Sequence, residues 1–192
     1  VREIARAHNL PVSDKKDSTG ICFIGNQKFD EFITQHLQAI PGDILDENGK
    51  VIGKHKGLVC YTLGQRKGIG LGGIKGNENE NNTHKPWFVA SKDVINNTLT
   101  IVQDTNHPLL MSKTVEASHM HWVLEEAPKV GDKLMAQVRY RQQKQACTVV
   151  EANDEKVVVE FDNAQRAVTL GQSLVLYSGD YCLGGGFISF YK

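Results

Sequence analysis

The sequence predicts a mainly β protein with two short helical segments near its N terminus. Three observations support this fold class. From about residue 110 the chain consists of short β-branched segments separated by polar turns, without a helical period. Before that point, two Asn-containing turns are each flanked by apolar segments that read as strands. Apolar residues recur at helical spacing only before Pro41.

The composition limits the classes of function. Hydrophobic residues make up 40% and charged residues 23% of the 192 residues, which is sufficient for a packed core. Lys plus Arg number 22, as do Asp plus Glu, so any nucleic-acid binding must come from a local basic patch. No signal peptide and no long apolar run occurs, and we therefore expect a soluble, cytoplasmic protein without a membrane partner.

The first predicted helix begins at once, with Ile4, Ala5 and Leu10 near one stripe, and ends near Asn9 because Pro11 cannot continue it. A soluble protein rarely starts within a helix, and the first residue is not Met. We therefore interpret the chain as a piece of a longer protein. Loss of the initiator Met alone is the alternative.

The second helix and two strand pairs follow in order. Helical spacing predicts the helix from Phe29, Phe32, Ile33 and Leu37. A hairpin is predicted at Glu47-Asn48-Gly49, because Asn-Gly is a strong tight-turn signal. The segments WFVASKD and TLTIVQD flank Ile95-Asn96-Asn97 and are predicted strands.

Six further segments predict a compact all-β unit, either a small barrel or a sandwich. They are VEASHMHWV, KLMAQVRYR, ACTVVEA, KVVVEF, SLVLYSG and CLGGGFISFY.

Cys22, in the segment DSTGICFIG, is the first candidate for chemistry. Its neighbours Ile21 and Phe23 suit a packed, buried cysteine. The preceding Ser-Thr-Gly favours a turn that aims the sulfur outward, and Lys15 and Lys16 would stabilise a thiolate. Both interpretations remain open at this point.

The other cysteines, Cys60, Cys147 and Cys182, have apolar or β-branched neighbours and are predicted core residues. The four cysteines form no CxxC pair, and His119 and His121 lack a third ligand. We therefore expect no metal site.

Two basic segments are candidates for anion binding. Residues 64–73, GQRKGIGLGG, resemble a phosphate loop but lack the Walker spacing, so a basic or plain surface loop is the more natural interpretation. In RYRQQKQ, residues 139–145, arginines suit phosphate and Tyr140 can stack on an unpaired base. A solvated strand end is the alternative.

The quoted segments together resemble a known family. DSTGICFIG, PGDILDENGKVIGKHKGLVCYTLGQRKGIG, VRYRQ, LGQSLVLY and CLGGG occur in order along the chain. In this combination the chain resembles the C-terminal part of the tRNA-specific 2-thiouridylases. The SGGxDS motif of the family's ATP-binding PP-loop domain does not occur in it.

The resemblance implies an activity. Enzymes of this family use ATP to adenylate the C2 oxygen of wobble uridine 34 and replace that oxygen with sulfur. Cys22 matches the cysteine of the STGxCF motif, which carries the sulfur as a persulfide. A second cysteine, in the PP-loop domain, helps to release the sulfur and leaves a disulfide. The chain alone is therefore expected to be inactive and to bind no ATP itself.

The resemblance also implies domains and partners. Residues 1–25 would be the remnant of an α/β PP-loop domain, 26–108 a small α+β central domain, and 109–192 a C-terminal β-barrel. Arg139, Tyr140 and Gln172 match barrel residues that contact tRNA. The expected partners are the anticodon arm of tRNA and a sulfur-donor protein, either a cysteine desulfurase or a sulfur relay protein. A non-catalytic RNA-binding barrel, with Cys22 packed, is the alternative.

Overall fold

The computed structural model describes residues 2–11, 13–14, 29–71, 85–123, 127–153 and 155–192. The chain divides into two compact units, Val1–Leu37 and Gln38–Lys192. Together they form the mainly β fold that the sequence predicts.

The first unit contains two short helices, α1 (Arg2–Ala7) and α2 (Phe29–His36). Helix α1 ends in a turn in which Leu10 N donates to Ala5 O at 2.9 Å, and Asn9 adopts a left-handed conformation (φ 52°). Such a residue ends a helix by satisfying its last carbonyl groups. The predicted end near Asn9 is therefore confirmed to within two residues.

The second unit begins with a four-stranded sheet of order β2-β1-β4-β3. Its strands are β1 (Gly42–Leu45), β2 (Val51–His55), β3 (Phe88–Asp93) and β4 (Thr98–Val102). Strand β1 is antiparallel to β2 and parallel to β4, and β3 is antiparallel to β4. The two outer strands, β2 and β3, form the edges of this open sheet.

Both predicted turns are present, and each is closed by an acidic side chain. Asp46 Oδ1 accepts from the backbone N–H groups of Asn48 and Lys50, each at 2.9 Å. Gly49 supplies the left-handed residue of this turn (φ 79°), which glycine adopts without strain. Between β3 and β4, Asn96 donates to Asp93 through its backbone and its amide, and these bonds lower the pKa of Asp93.

The second part of this unit is a closed barrel of six antiparallel strands in the order β10-β5-β8-β7-β6-β9. The strands are β5 (Met111–Trp122), β6 (Lys133–Gln137), β7 (Gln145–Ala152), β8 (Lys156–Arg166), β9 (Ser173–Ser178) and β10 (Tyr181–Tyr191). Each matches one of the six predicted segments. The barrel alternative is thereby confirmed over the sandwich.

The barrel interior is filled mainly by aliphatic side chains, together with Phe161 and Cys147. Val115, Val159, Phe161, Leu174 and Leu176 are each at most 1% exposed. The Leu-Gly-Gly-Gly segment of β10 serves this packing, since a Cβ on Gly185 would lie 2.6 Å from the Leu174 carbonyl oxygen. The glycine run is therefore explained by the close approach of neighbouring strands.

The sheet and the barrel share side-chain contacts. Ala167, which follows β8, belongs to the sheet's core cluster with Ile44, Leu99 and Ile101. Arg166 Nε donates to Thr105 O at 2.8 Å, and its guanidinium lies 5.0 Å from the centroid of the Phe88 ring. The end of β8 is thus fastened to the sheet.

Within the described residues, none of the helices has the length and apolar character needed to cross a bilayer.

Candidate nucleic-acid interface

The turn between β6 and β7 carries two of the predicted tRNA-binding residues. Arg139 and Tyr140 are exposed, Tyr140 to 85%. Arg141 follows in a left-handed conformation (φ 63°) that is uncommon for a residue with a side chain. Its guanidinium lies 5.2 Å from the centroid of the Tyr140 ring. The turn therefore presents an aromatic ring and two cations to solvent.

A glutamine network fastens this turn to the barrel. The side-chain Oε1 of Gln142 accepts from Val138 N at 2.9 Å, and its Nε2 donates to Gln165 Oε1 at 2.7 Å. Gln165, on β8, is 4% exposed. Gln137 Nε2 donates to the Gln142 carbonyl, while Gln137 Oε1 accepts from Tyr177 Oη at 2.8 Å. Both backbone and side-chain atoms of Gln142 are therefore fixed.

Arg139 reaches across to the segment that follows β8. Its Nη2 donates to Ala167 O at 3.1 Å, and Thr169 Oγ1 donates to the same carbonyl at 3.0 Å. Burial, and then the neighbouring charge of Arg139, lower the pKa of Arg166. Two guanidinium groups thus lie within electrostatic range, and an anion bound there would relieve their repulsion.

Gln172 lies at the same end of the barrel as Arg139 and Tyr140. Strand β6 is antiparallel to β9, so the residues after Gln137 lie beside those before Ser173. Gln172 is exposed, and its carbonyl accepts from Ile188 N at 2.7 Å. The structure therefore brings the three predicted tRNA-binding residues to one end of the barrel.

Lys144, the last cation of residues 139–145, contacts other residues of the barrel. Its Nζ donates to Gly179 O at 3.0 Å and lies 4.4 Å from the centroid of the Tyr177 ring. Asp180 lies 3.9 Å away. This ammonium group is thus more constrained than the arginines of the turn.

The cysteine predictions have mixed outcomes. Cys22 lies outside the described residues, and its role stays a prediction. Cys60 and Cys147 are buried as expected, and burial, reinforced by the charge of Asp162, raises the pKa of Cys147 to about 11. The core prediction for Cys182 is wrong, because this side chain is exposed beside the β9–β10 turn.

The glycine-rich segment adjoins strand β3 over its described part, residues 64–71. Gly64 N donates to Val89 O at 2.8 Å, and Val89 N donates to Gln65 O at 3.0 Å. Ile69 is 5% exposed and belongs to the sheet core. The backbone amide of Gly64 is thus occupied by β3 and is not free to bind a phosphate.

His119 and His121 are both exposed on β5, and His119 has a left-handed backbone (φ 53°). In the part of the chain that the structure describes, no three His, Cys, Asp or Glu side chains are grouped as a metal site.

Sequence reasoning missed Gln142 and Gln165, whose roles depend on contacts between strands. The adjacent glutamines at 142 and 143 carry no sequence signal that tells the anchored one from its neighbour.

Three family models match the chain in order. The tRNA methyl transferase HUP domain matches residues 1–26, the tRNA methyl transferase PRC-barrel domain residues 30–103, and the aminomethyltransferase beta-barrel domain residues 112–188.

Similar proteins match along the whole chain. The tRNA-specific 2-thiouridylase MnmA 2 of Aliarcobacter butzleri is 98% identical over 192 residues, which are 100% of this chain and 52% of that protein. The tRNA-specific 2-thiouridylase MnmA of Francisella philomiragia is 52% identical over 188 residues, 98% of this chain and 51% of that protein. MnmA of Alcanivorax borkumensis is 50% identical over 98% of this chain and 50% of that protein. The chain spans about half the length of these curated relatives.

Proposed function

Because the chain belongs to the tRNA-specific 2-thiouridylase family, we propose that it supplies the sulfur-carrying cysteine and the tRNA-binding barrel of such an enzyme. The enzyme would be a tRNA-uridine 2-sulfurtransferase that modifies wobble uridine 34. The observation that carries the barrel's part is the exposed turn with Arg139 and Tyr140, which the structure holds at the same barrel end as Gln172.

The proposed chemistry has two covalent steps. A persulfide on Cys22 attacks C2 of the adenylated uridine, and AMP leaves with the former C2 oxygen. A thiolate from the PP-loop domain then attacks the Cys22 sulfur and releases 2-thiouridine. This second step leaves a disulfide that an external dithiol must reduce. Covalent sulfur carriage divides one difficult substitution into two easier ones.

ATP enters this proposal through the PP-loop domain, of which this chain would hold only a remnant. Only residues 1–26 match the HUP domain, and the SGGxDS motif is not in the sequence. The described residues are therefore assigned to tRNA binding, and the adenylation step to the PP-loop domain. A sulfur-donor protein must recharge Cys22, and cytoplasm is the proposed location because tRNA is the substrate.

The barrel's role is tested with the 192-residue chain and tRNA at several salt concentrations. Arg139→Gln should weaken binding and lower the salt slope by about one, since one phosphate contact is lost. Lys113→Gln is the charge-matched control, because Lys113 lies on β5, across the barrel from β6, and pairs with Glu160 at 3.6 Å. Equal affinity of Arg139→Gln and the unmodified chain would remove Arg139 from the interface.

The role of Cys22 is tested in a family enzyme that contains this sequence together with its ATP-binding domain. Cys22→Ser should abolish 2-thiouridine, measured by mass spectrometry of digested tRNA, while tRNA binding persists. Undiminished thiolation would support the alternative, a non-catalytic RNA-binding barrel with a packed Cys22.

A further inference from the structure

A row of outward-facing residues runs across three neighbouring barrel strands, β9, β10 and β5. Phe187 on β10 pairs with Ser173 on β9 and with Ser118 on β5. The β6–β9 ladder ends at the pair Gln137–Val175, so Arg139 lies in the turn just beyond the end of β6, near the start of β9. The row therefore reads Ser173, Phe187 and Ser118, with Arg139 at the adjacent end of the barrel.

Burial shows which face of the barrel this row occupies. The neighbours Val138, Leu174 and Ile188 are 4%, 0% and 2% exposed and point into the core. Because successive strand residues face opposite sides, Ser173 and Phe187 face outward, while the Arg139 guanidinium donates to Ala167 O at 3.1 Å. Neighbouring strands lie about 4.8 Å apart, so the Cα atoms of Ser173 and Phe187 are about 5 Å apart.

Phe187 is 56% exposed although it lies in the middle of a long strand. A single exposed apolar residue needs no explanation by itself. Phe187, however, pairs with two serines across the neighbouring strands, and the next residue, Ile188, donates its backbone N–H to the Gln172 carbonyl. Phe187 therefore adjoins a residue, Gln172, that we propose contacts tRNA.

The chemistry of the row suits an unpaired ribonucleotide strand. Arginine binds phosphate, and aromatic rings stack on unpaired bases with little dependence on the base. Serine hydroxyls can bond the 2′-hydroxyl or phosphate oxygens. The other exposed phenylalanine of β10, Phe190, instead pairs with Glu116, whose carboxylate lies 3.5 Å from Lys156 Nζ and accepts from Ser189 Oγ at 2.8 Å, so these charges are already paired with each other.

We propose that Phe187 is a further tRNA-contacting residue, whose ring stacks on an unpaired base while Arg139 binds an adjacent phosphate. This inference rests on the proposed function of the barrel. It extends the interface from the β6–β7 turn across β9 onto β10, so that the barrel wall as well as its end contacts the tRNA.

The test measures tRNA affinity of the 192-residue chain carrying Phe187→Ala, with Phe190→Ala as matched control. Loss of one stacked base should weaken binding about tenfold for Phe187→Ala, whereas Phe190→Ala should bind like the unmodified chain. Phe187→Leu keeps an apolar residue on the strand and should weaken binding similarly, which separates loss of stacking from loss of folding. Phe187→Trp should restore affinity, and its added fluorescence should be quenched by tRNA.

The outcomes separate this inference from the proposed function. If Arg139→Gln weakens binding but Phe187→Ala and Phe187→Leu do not, Phe187 is outside the interface and the barrel still binds tRNA. If none of the three weakens binding, both the Phe187 contact and the proposed tRNA-binding role of the barrel are wrong. Equal losses for Phe187→Ala and Phe190→Ala would also overturn the stacking role.

Discussion

The barrel and the four-stranded sheet use their buried polar side chains differently. In the sheet, Asp46 and His55 are 7% and 2% exposed. Both form hydrogen bonds with backbone groups of the turns and segments that adjoin the sheet strands. His55 Nδ1 accepts from Gly57 N at 3.1 Å, and Nε2 lies 3.0 Å from Asn97 O, to which it donates. In the barrel, Gln165 instead holds Gln142 and, through it, the exposed turn with Arg139 and Tyr140.

The two regions also differ in how their backbone hydrogen bonds close. The sheet is open, with β2 and β3 at its edges, whereas the barrel pairs each strand on both sides. Closure satisfies the strand backbone internally, so outward side chains are not needed to protect an edge. Within the described residues, the barrel strands therefore leave no unpaired edge, whereas β2 and β3 each leave one.

The largest expected effect tests whether the two regions fold independently. Phe161→Ala should lower the free energy of unfolding by about 3–5 kcal/mol and Leu99→Ala by about 2–5 kcal/mol, since both side chains are buried. Because Ala167 and Tyr191 pack against the sheet core, we expect one shared transition in urea for both variants. Two separate transitions, each sensitive to one variant only, would contradict the shared core.

The next effect concerns the thiols of the barrel. Raising the pKa of Cys147 from 9.0 to about 11 lowers its thiolate fraction at pH 8 about a hundredfold, because the charged form is disfavoured by burial and by Asp162. Cys182 is exposed and should react with iodoacetamide first of these two. Peptide mass spectrometry measures both in one sample.

Two features make this labelling experiment decisive. Cys182→Ser removes the fast site and serves as control, and unfolding in urea should make Cys147 reactive. Because the pKa of Cys147 is raised to about 11, its thiolate fraction increases as the pH approaches 11. Labelling of Cys147 in the folded chain should therefore increase over the same pH range. Rapid labelling of Cys147 at pH 8 would show that the barrel wall opens at this position.

The smallest effect compares the two polar networks. Gln142→Ala and His55→Ala should each lower the free energy of unfolding by about 1–3 kcal/mol, because each leaves buried partners without hydrogen bonds. Only Gln142→Ala should also weaken tRNA binding, since it releases the turn of Arg139 and Tyr140.

Gln143→Ala is the control for this comparison, because Gln143 lies in the same turn and is exposed. It should change neither stability nor affinity. If His55→Ala weakens tRNA binding as strongly as Gln142→Ala, the Gln142 network has no special role in holding the turn of Arg139 and Tyr140.

Local chemistry was sufficient to predict the strands and turns. The Asn48-Gly49 turn forms because Asp46 accepts two backbone hydrogen bonds within four residues and Gly49 tolerates a left-handed backbone. Short β-branched segments separated by polar turns predicted the six barrel strands. Cys182 shows the limit of this reasoning, because apolar neighbours do not reveal which face of a strand start is solvated.

The sequence by itself determined the mainly β class, the order of the elements and the family resemblance, because these depend on neighbouring residues. Only the tertiary structure decided that the strands close into a barrel and that Gln142 meets Gln165, 23 residues away. It likewise brought Arg139 to Ala167 and paired Phe187 with Ser173 and Ser118. The physical reason is strand register, which sets side-chain neighbours through pairing between segments distant in the chain.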